Sequence, residues 1–262
     1  MDNWDMADDT IFKARRWGSE IYRSIQAYWH IQAFFNDSKV LENYLDSHRP
    51  LKPVMFVDGG FLLEDGSILE LPDDGEDFEP TIHTITLTQE EIKANLQQAE
   101  QFYNRQMVVV AATYIELILR DFLRVVFCKF PERMHNYLDE GNGYKGLVNL
   151  KLITKASSLI ELLHDLSEQA ASNALKGRFK TQLNNLTRII PEQEIPQDLQ
   201  KELIRIVEKR NQIVHEASQE HLINDEVRET FDTCFELLRS LANIAVKCGI
   251  SLDIPRNEEN PF

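Results

Sequence analysis

The segment from Thr88 to Phe127 holds 40 residues without a proline or a glycine, and it constrains the fold more than any other part of the chain. Thr88 and Glu91 have the spacing of a capping box, in which a threonine oxygen and a glutamate carboxylate accept backbone N–H groups at the start of a helix. The sequence therefore predicts a helix from residue 88 to about residue 127, which is long for a globular protein.

Helical periodicity continues after this segment. Four further helices are predicted near residues 147–168, 172–190, 197–215 and 224–249, separated by Pro191, Pro196 and the polar residues 217–220. This order predicts a mostly α protein in which residues 88–262 form an up-and-down helical bundle.

Residues 1–87 are predicted to form an appendage with one helix and a small β-hairpin. Apolar residues recur at helical spacing from Ile11 to Leu45, and their crowded aromatic side chains favour core packing or a docking face. Residues 48–53 break this helix, and a short β-like stretch follows. A hairpin is predicted within residues 61–71 around an Asp-Gly turn, with a third strand allowed at residues 81–87. The acidic run 72–80 is predicted to be a solvated loop.

The formal net charge is −15 at pH 7, which argues against a protein that coats nucleic acid along its whole surface. The acidity is uneven, because residues 1–95 carry a net charge of −11 and residues 96–262 a net charge of −4. A local basic surface in the second part is therefore compatible with the composition.

The sequence also predicts a cytoplasmic protein without a membrane span. The most apolar run, residues 107–127, contains Glu116, Arg120, Asp121 and Arg124. The first residues are acidic where a secretory signal is basic. Three widely spaced cysteines form no metal or redox motif, so reduced and buried thiols are expected.

Arg210 and His215, in the predicted helix 197–215, are the residues best suited to acid–base chemistry at a phosphate group. Histidine exchanges protons near neutral pH, and arginine is a permanent, forked donor to phosphate oxygens. Cleaving RNA without a metal needs a base for the ribose 2′-OH, an acid for the 5′-oxygen and positive charge at the phosphorane. Residues five apart on a helix point about 140° apart, so the two side chains meet only if the helix ends between them or if two copies share a site.

Arg210-Asn211-x-x-x-His215 resembles the R-x4-6-H signature of HEPN domains, including the polar residue after the arginine. Residues 108–123 with Glu116 resemble the long early helix of these domains, and a further helix follows the motif. The resemblance covers roughly residues 88–249. It implies a metal-independent endoribonuclease that forms a homodimer with a composite site and acts on RNA as a toxin or antiviral effector. Arg23 and His30 also satisfy the spacing but lie in the aromatic N-terminal helix.

Two further motif residues have more than one interpretation. Asn211 either positions the histidine or a phosphate, or is an ordinary polar residue near a helix end. Glu116 lies in an apolar helix and needs a partner, because an unpaired buried acid is costly. That partner is Arg210 or His215 if Glu116 orients them, or Arg120 four residues on. We favour Arg120 as the partner and still place Glu116 near the site.

A local basic surface for an RNA backbone is predicted in the second half of the chain. A solvated helix face is an equally good interpretation of the same residues. The candidates are Lys176, Arg178, Lys180, Arg188, Arg205 and Lys209, with Phe179 available for base stacking.

The resemblance leaves other functions open. Some HEPN toxins carry a tyrosine that their antitoxin modifies two residues after the histidine, but this chain has Ala217 there, so that modification is not predicted. A non-catalytic HEPN module that dimerises and binds a protein or a nucleotide is the main alternative, and a helical protein with an accidental motif is a third. Retention of both Arg210 and His215 favours the enzyme. No metal-ligand or phosphate-loop motif is present, so no cofactor is predicted. An antitoxin or regulatory protein partner is expected, since an uncontrolled ribonuclease would poison its host.

Overall fold

A computed structural model describes residues 10–37, 39–40, 43–44, 51–57, 60–62, 68–70, 82–86, 89–138, 150–191, 194–215 and 221–253. The helices are α1 (Ala14–Asn36), α2 (Gln89–Lys129), a 3-10 helix (Pro131–Tyr137), α3 (Leu150–Lys155), α4 (Leu159–Ala174), α5 (Phe179–Ile189), α6 (Gln197–His215) and α7 (Asn224–Lys247). The strands are β1 (Ile11–Phe12), β2 (Leu51–Val57), β3 (Gly60–Leu62), β4 (Ile68–Glu70), β5 (Ile82–Thr86) and β6 (Ser251–Leu252). The mostly α fold predicted from the sequence is confirmed.

The long helix is confirmed as α2, which has Glu90 and Glu91 in its first turn. Acidic side chains there complement the positive end of the helix dipole. The predicted N-cap residue, Thr88, lies outside the described residues. The predicted helix 197–215 is also confirmed, as α6, and the predicted helix 224–249 ends two residues earlier, at Lys247.

The predicted boundaries of the helices at residues 147–168 and 172–190 are wrong. The chain breaks before Leu159, because the Ser158 hydroxyl accepts the backbone N–H of Glu161 at 3.1 Å and starts α4 there. It breaks again after Ala174, because Gly177 adopts a left-handed φ of +89° that an α-helix does not allow. Three helices, α3, α4 and α5, therefore replace the two that were predicted.

The chain divides into two compact units, one made of Met1–Tyr28 with Asn104–Phe262 and the other of Trp29–Tyr103. The core of the first unit centres on the C-terminal half of α2, where every residue from Phe122 to Phe127 is buried. A helix buried on all sides must lie in the middle of its bundle. The buried cation Arg124 is accordingly paired, with Asp121 at 3.2 Å and Glu168 at 3.5 Å.

The N-terminal residues of the first unit are built into this core. Phe12 packs edge-to-face on Phe122 with ring centroids 5.4 Å apart, and β1 pairs in parallel with β6 near the C-terminus. The Asp253 carboxylate accepts the backbone N–H groups of Arg15 and Arg16 at 2.6 and 3.0 Å, and so caps α1 from a distant part of the chain. The predicted division of the chain between residues 87 and 88 follows the sequence pattern and stays a prediction.

The second unit contains an antiparallel four-stranded sheet in the order β4-β3-β2-β5. Strands β3 and β4 confirm the predicted hairpin, and β5 confirms the third strand. Strand β2 includes Pro53, which the sequence placed in a break. The proline is tolerated because β3 pairs with β2 only over Met55–Val57, so that among the described strands only β5 pairs with β2 at Pro53. The turn of the hairpin and the acidic run 72–80 lie outside the described residues.

The three cysteines form no disulfide with one another; Cys234 is buried, whereas Cys128 and Cys248 are half-buried. The prediction that all three are buried is therefore wrong. Burial raises the pKa of the Cys234 thiol. Among the helices of the described residues, none combines the length and the apolarity that a membrane crossing requires.

Candidate active site

Arg210 lies on the inward side of α6. The helix buries Leu203, Ile206 and Val207, and a residue three or four positions further on belongs to the same stripe. The Arg210 guanidinium crosses to α2 and donates from Nη2 to Oε1 of Glu116. This ion pair is half-buried, with 24% of the Arg210 side chain and 39% of the Glu116 side chain exposed. It joins two helices at residues that are far apart in the sequence.

The structure thus identifies the partner of Glu116, and the prediction that favoured Arg120 is wrong. Arg120 donates instead from Nε and Nη2 to Oε2 of Glu168 on α4, at 3.3 and 3.1 Å. The predicted location of Glu116 beside the motif arginine agrees with this geometry. Because a carboxylate on a rigid helix holds the guanidinium in one orientation, Glu116 can act as a positioning residue for Arg210.

The Arg210 guanidinium also has an unused donor. Its Nε atom is buried and finds no hydrogen-bond partner among the described residues. An unsatisfied buried donor costs about 1–3 kcal/mol, and native proteins rarely retain one without a functional reason. Arg210 is therefore fixed by one carboxylate, and its buried Nε donor has no partner among the described residues.

His215 is the last residue of α6, and its side chain is exposed. The helix is continuous from Arg210 to His215, so the two side chains point about 140° apart and do not meet within one chain. Asn211 lies one turn before His215 on the same exposed side of the helix. In the part of the chain that the structure describes, neither His215 nor Asn211 has a side-chain hydrogen bond.

The two predicted RNA-contacting residues on α6, Lys209 and Arg205, each form an ion pair with a carboxylate. Lys209 Nζ lies 3.3 Å from Glu226 Oε1, and only 13% of its side chain is exposed. Arg205 Nε donates to Oε2 of Glu202 at 2.7 Å. Both cations therefore already have acidic partners in the protein.

Glu226 is the acid that ties the start of α7 to α6. Burial by itself raises the pKa of Glu226, but this effect is outweighed by the backbone N–H of Ile223 and by the charges of Lys209 and Arg205, and the net result is a lowered pKa. The Ile223 N–H donates to Oε2 of Glu226 at 3.1 Å. The carboxylate therefore links the segment that follows the motif to both helices.

Replacing Glu226 with glutamine is expected to flatten the acid dependence of stability. A carboxyl group with a lowered folded-state pKa stabilises the fold fully above its ordinary value of 4.5, and this contribution is lost as the pH falls through the lower value. Denaturant unfolding from about pH 5 to about pH 3 should show a smaller loss of stability in Glu226→Gln than in the wild type. Glu229→Gln, which changes an exposed acid on the same helix, is the control, and equal pH dependence in the wild type and Glu226→Gln would contradict the assignment.

Three of the other predicted RNA-contacting residues lie around the loop between α4 and α5, whereas Arg188 lies in the last turn of α5. Lys176, Arg178 and Lys180 are exposed. Phe179, which the sequence offered for base stacking, is only 7% exposed and belongs to the core, so that prediction is wrong. The reason is that Phe179 begins α5 on the side that also buries Leu183 and Leu186.

A buried polar cluster that the sequence analysis did not single out anchors the chain after the motif. Tyr28 Oη donates to Oδ1 of Asn104 at 3.1 Å and to Oδ1 of Asn224 at 3.0 Å. Asn104 Nδ2 donates to the Leu222 carbonyl at 2.9 Å. One feature of the sequence points to this cluster: the polar residue Asn104 lies at helical spacing from the apolar residues Val108, Ala111 and Ile115, which α2 buries. The cluster therefore anchors Leu222 and Asn224, which follow the motif in the sequence.

The mostly helical fold is consistent with the all-α fold of a HEPN-type domain. Residues 82–247, more than half of the chain, match the family model described as RiboL-PSP-HEPN. The chain therefore belongs to the RiboL-PSP-HEPN family. Neither the curated proteins nor the solved structures contain a match to the chain.

Proposed function

We propose that this protein is a metal-independent endoribonuclease of HEPN type, with Arg210 and His215 as its catalytic residues. The observation that carries the proposal is the arrangement of the motif on α6. Arg210 is held by Glu116 with its Nε donor unused, whereas His215 is exposed on another side of the same helix. Phosphodiester cleavage requires an oriented cation and an accessible acid–base group, and α6 carries one of each.

The proposed reaction forms a bond from the ribose 2′-oxygen to phosphorus while a base removes the 2′-OH proton. The bond from phosphorus to the 5′-oxygen then breaks, and an acid protonates that leaving oxygen. The products are a 2′,3′-cyclic phosphate and a 5′-hydroxyl. Arg210 would donate to the non-bridging oxygens, whose negative charge increases in the phosphorane.

We further propose that the site is composite and forms in a homodimer. One neutral histidine can act as the base but cannot serve as the acid in the same step, so His215 from each of two copies supplies the two roles. The continuity of α6 supports this arrangement, because Arg210 and His215 of one chain point in different directions. A two-fold axis beside the end of α6 would place both residues of both chains around one cleft. Asn211, one turn from His215, would then orient that histidine or a phosphate.

We also propose that such an enzyme acts as a toxin or a defence effector on cellular RNA, controlled by an antitoxin or regulatory protein. The alternative is a non-catalytic HEPN module that dimerises and binds a protein or a nucleotide. The ion pairs of Lys209 and Arg205 favour this alternative, because they reduce the positive charge available near Arg210. The two functions differ in their predicted chemistry and can be separated directly.

The test incubates purified protein in EDTA with end-labelled tRNA and with a long single-stranded RNA. Wild type should cleave and leave 2′,3′-cyclic phosphate ends, and His215→Ala should cleave about 10²- to 10⁴-fold more slowly, because it lacks the acid–base group. His221→Ala, which removes another exposed histidine outside the motif, is the matched control and should cleave like wild type.

Two results would reject a nuclease with His215 at its centre. Equal cleavage by wild type and His215→Ala would assign the activity to another residue or to a contaminant. Absence of cleavage at concentrations where wild type is dimeric would favour the binding module.

A further inference from the structure

The chain from Gln169 to Pro191 contains four basic residues and no aspartate or glutamate, in a protein whose net charge is −15. Three of these cations, Lys176, Arg178 and Lys180, lie at the loop between α4 and α5 or in the first turn of α5. This loop region, residues 175–180, is called the basic loop below. It is therefore a concentrated source of positive charge on an otherwise acidic protein.

The cations of the basic loop differ from the candidates on α6, Arg205 and Lys209, because they have no carboxylate partner among the described residues. Each of the three is exposed, and none forms an ion pair within the described ranges. By contrast, Lys201 pairs with Asp198 at 2.9 Å, and Arg205 and Lys209 pair with Glu202 and Glu226. A cation that is already neutralised attracts a polyanion weakly, whereas an unpaired one attracts it with its full charge.

The backbone of the basic loop is fixed from several sides. Gly177 takes a left-handed conformation, and its carbonyl accepts Nε2 of Gln182 at 3.2 Å. The Ala174 carbonyl accepts Nδ2 of Asn185 at 2.8 Å, and Phe179 is buried beneath the loop. The three cationic side chains are thus attached to a fixed backbone. Less backbone entropy is therefore lost when a ligand binds than would be lost by a flexible loop.

We infer that the basic loop is a contact surface for the sugar–phosphate backbone of RNA, and this inference rests on the proposed ribonuclease function. Since Phe179 is buried, the surface offers charge without an aromatic platform. Contacts of that kind position a strand without reading its bases, and their strength falls steeply with salt. The basic loop, and not the paired cations of α6, would then bring an anionic substrate to a protein of net charge −15.

The test measures binding of a fluorescent polyuridine oligomer in a His215→Ala background, where cleavage does not interfere. The test variant is Lys176→Gln, Arg178→Gln and Lys180→Gln together. The control variant is Arg23→Gln, Lys201→Gln and Arg228→Gln, which removes the same charge from exposed residues that are paired with acids. Thermal unfolding of all proteins verifies that each remains folded.

The expected result is a specific loss of salt-dependent binding. Because each single-strand phosphate contact contributes about 0.7 to the slope of log K against log salt, loss of three contacts should reduce that slope by about 2. The control variant should keep the slope of the His215→Ala parent. Equal effects of the two triple variants, or an unchanged slope in the test variant, would overturn the inference. Polyglutamate that displaces the oligomer as well as RNA of equal charge does would also overturn the inference, because the basic loop would then bind any acidic chain.

The outcome for the basic loop is separate from the outcome for catalysis. If wild type never cleaves RNA but the oligomer binds in the predicted way, the basic loop is supported and the nuclease is rejected. If wild type cleaves but the basic loop variants bind like the control, the nuclease stands and the basic loop is rejected. Failure of the His215→Ala parent to bind the oligomer at low salt would also overturn the assignment of the basic loop.

Discussion

Replacing Arg210 with alanine is expected to lower the rate constant of RNA cleavage by about 10²- to 10³-fold, because the phosphorane then loses a pre-oriented cation. The loss should fall on kcat more than on KM, since the interaction grows with the charge on the non-bridging oxygens. Arg210→Lys should recover only part of the rate, because lysine keeps the charge but lacks the planar fork. Single-turnover cleavage of a labelled RNA at saturating protein measures the effect.

The ion pair with Glu116 makes this prediction more specific. Glu116→Gln should slow cleavage by a smaller factor than Arg210→Ala, because Gln can still accept a hydrogen bond but no longer holds the guanidinium with a charge. In the double variant with Arg210→Ala, loss of Glu116 should cost nothing further, because its effect acts through the arginine. Arg23→Ala, from the second Arg–His spacing in α1, is the control. Wild-type cleavage by Arg210→Ala would contradict the assigned role.

Replacing Phe122 with alanine is expected to lower the free energy of unfolding by about 3–5 kcal/mol. Phe122 is fully buried in the middle of α2 and packs on Phe12. Its removal leaves a cavity among helices that cannot all move to fill it. Chemical denaturation measures the change, and Leu117→Ala, on the same helix but 40% exposed, should cost much less.

Phe12→Ala extends this test to the N-terminal residues, which lie outside the region matched by the family. Phe12 is also fully buried, so a loss of similar size is expected. Because the rings are in contact, the double variant should lose less than the two single losses added together. A cost below about 1 kcal/mol for Phe12→Ala would show that β1 is not part of the core that supports α2.

The elements that local chemistry defines were predictable from the sequence. A capping signal and 40 residues without helix breakers gave α2, and apolar periodicity bounded by Pro196 gave α6 at its observed limits. The start of α4 could have been found in the same way, because Ser158 and Glu161 have cap spacing in the sequence. The prediction of one helix over residues 147–168 is wrong because the apolar pattern of that segment was given more weight than the cap residue Ser158.

Side-chain partners were much less predictable. Glu116 has Arg120 one turn away along α2, but it pairs with Arg210, which is 94 positions distant. Sequence spacing reports which residues share a helix face, and it does not report which neighbouring helix supplies a better-placed charge. Phe179 shows the same limit, since its position between Arg178 and Lys180 indicated a stacking surface whereas the packing of α5 buried it.

The sequence by itself determined the mostly α fold, the long central helix and the motif on α6, because helix propensity, caps and periodicity act over a few residues. Only the tertiary structure decided that Glu116 holds Arg210 and that Tyr28 and Asn104 anchor Leu222 and Asn224 after the motif. It also decided that the cations of the basic loop have no acidic partner within the described part of the chain. The physical reason is that ion pairing and burial depend on distances between helices. Those distances are set by how the whole core packs.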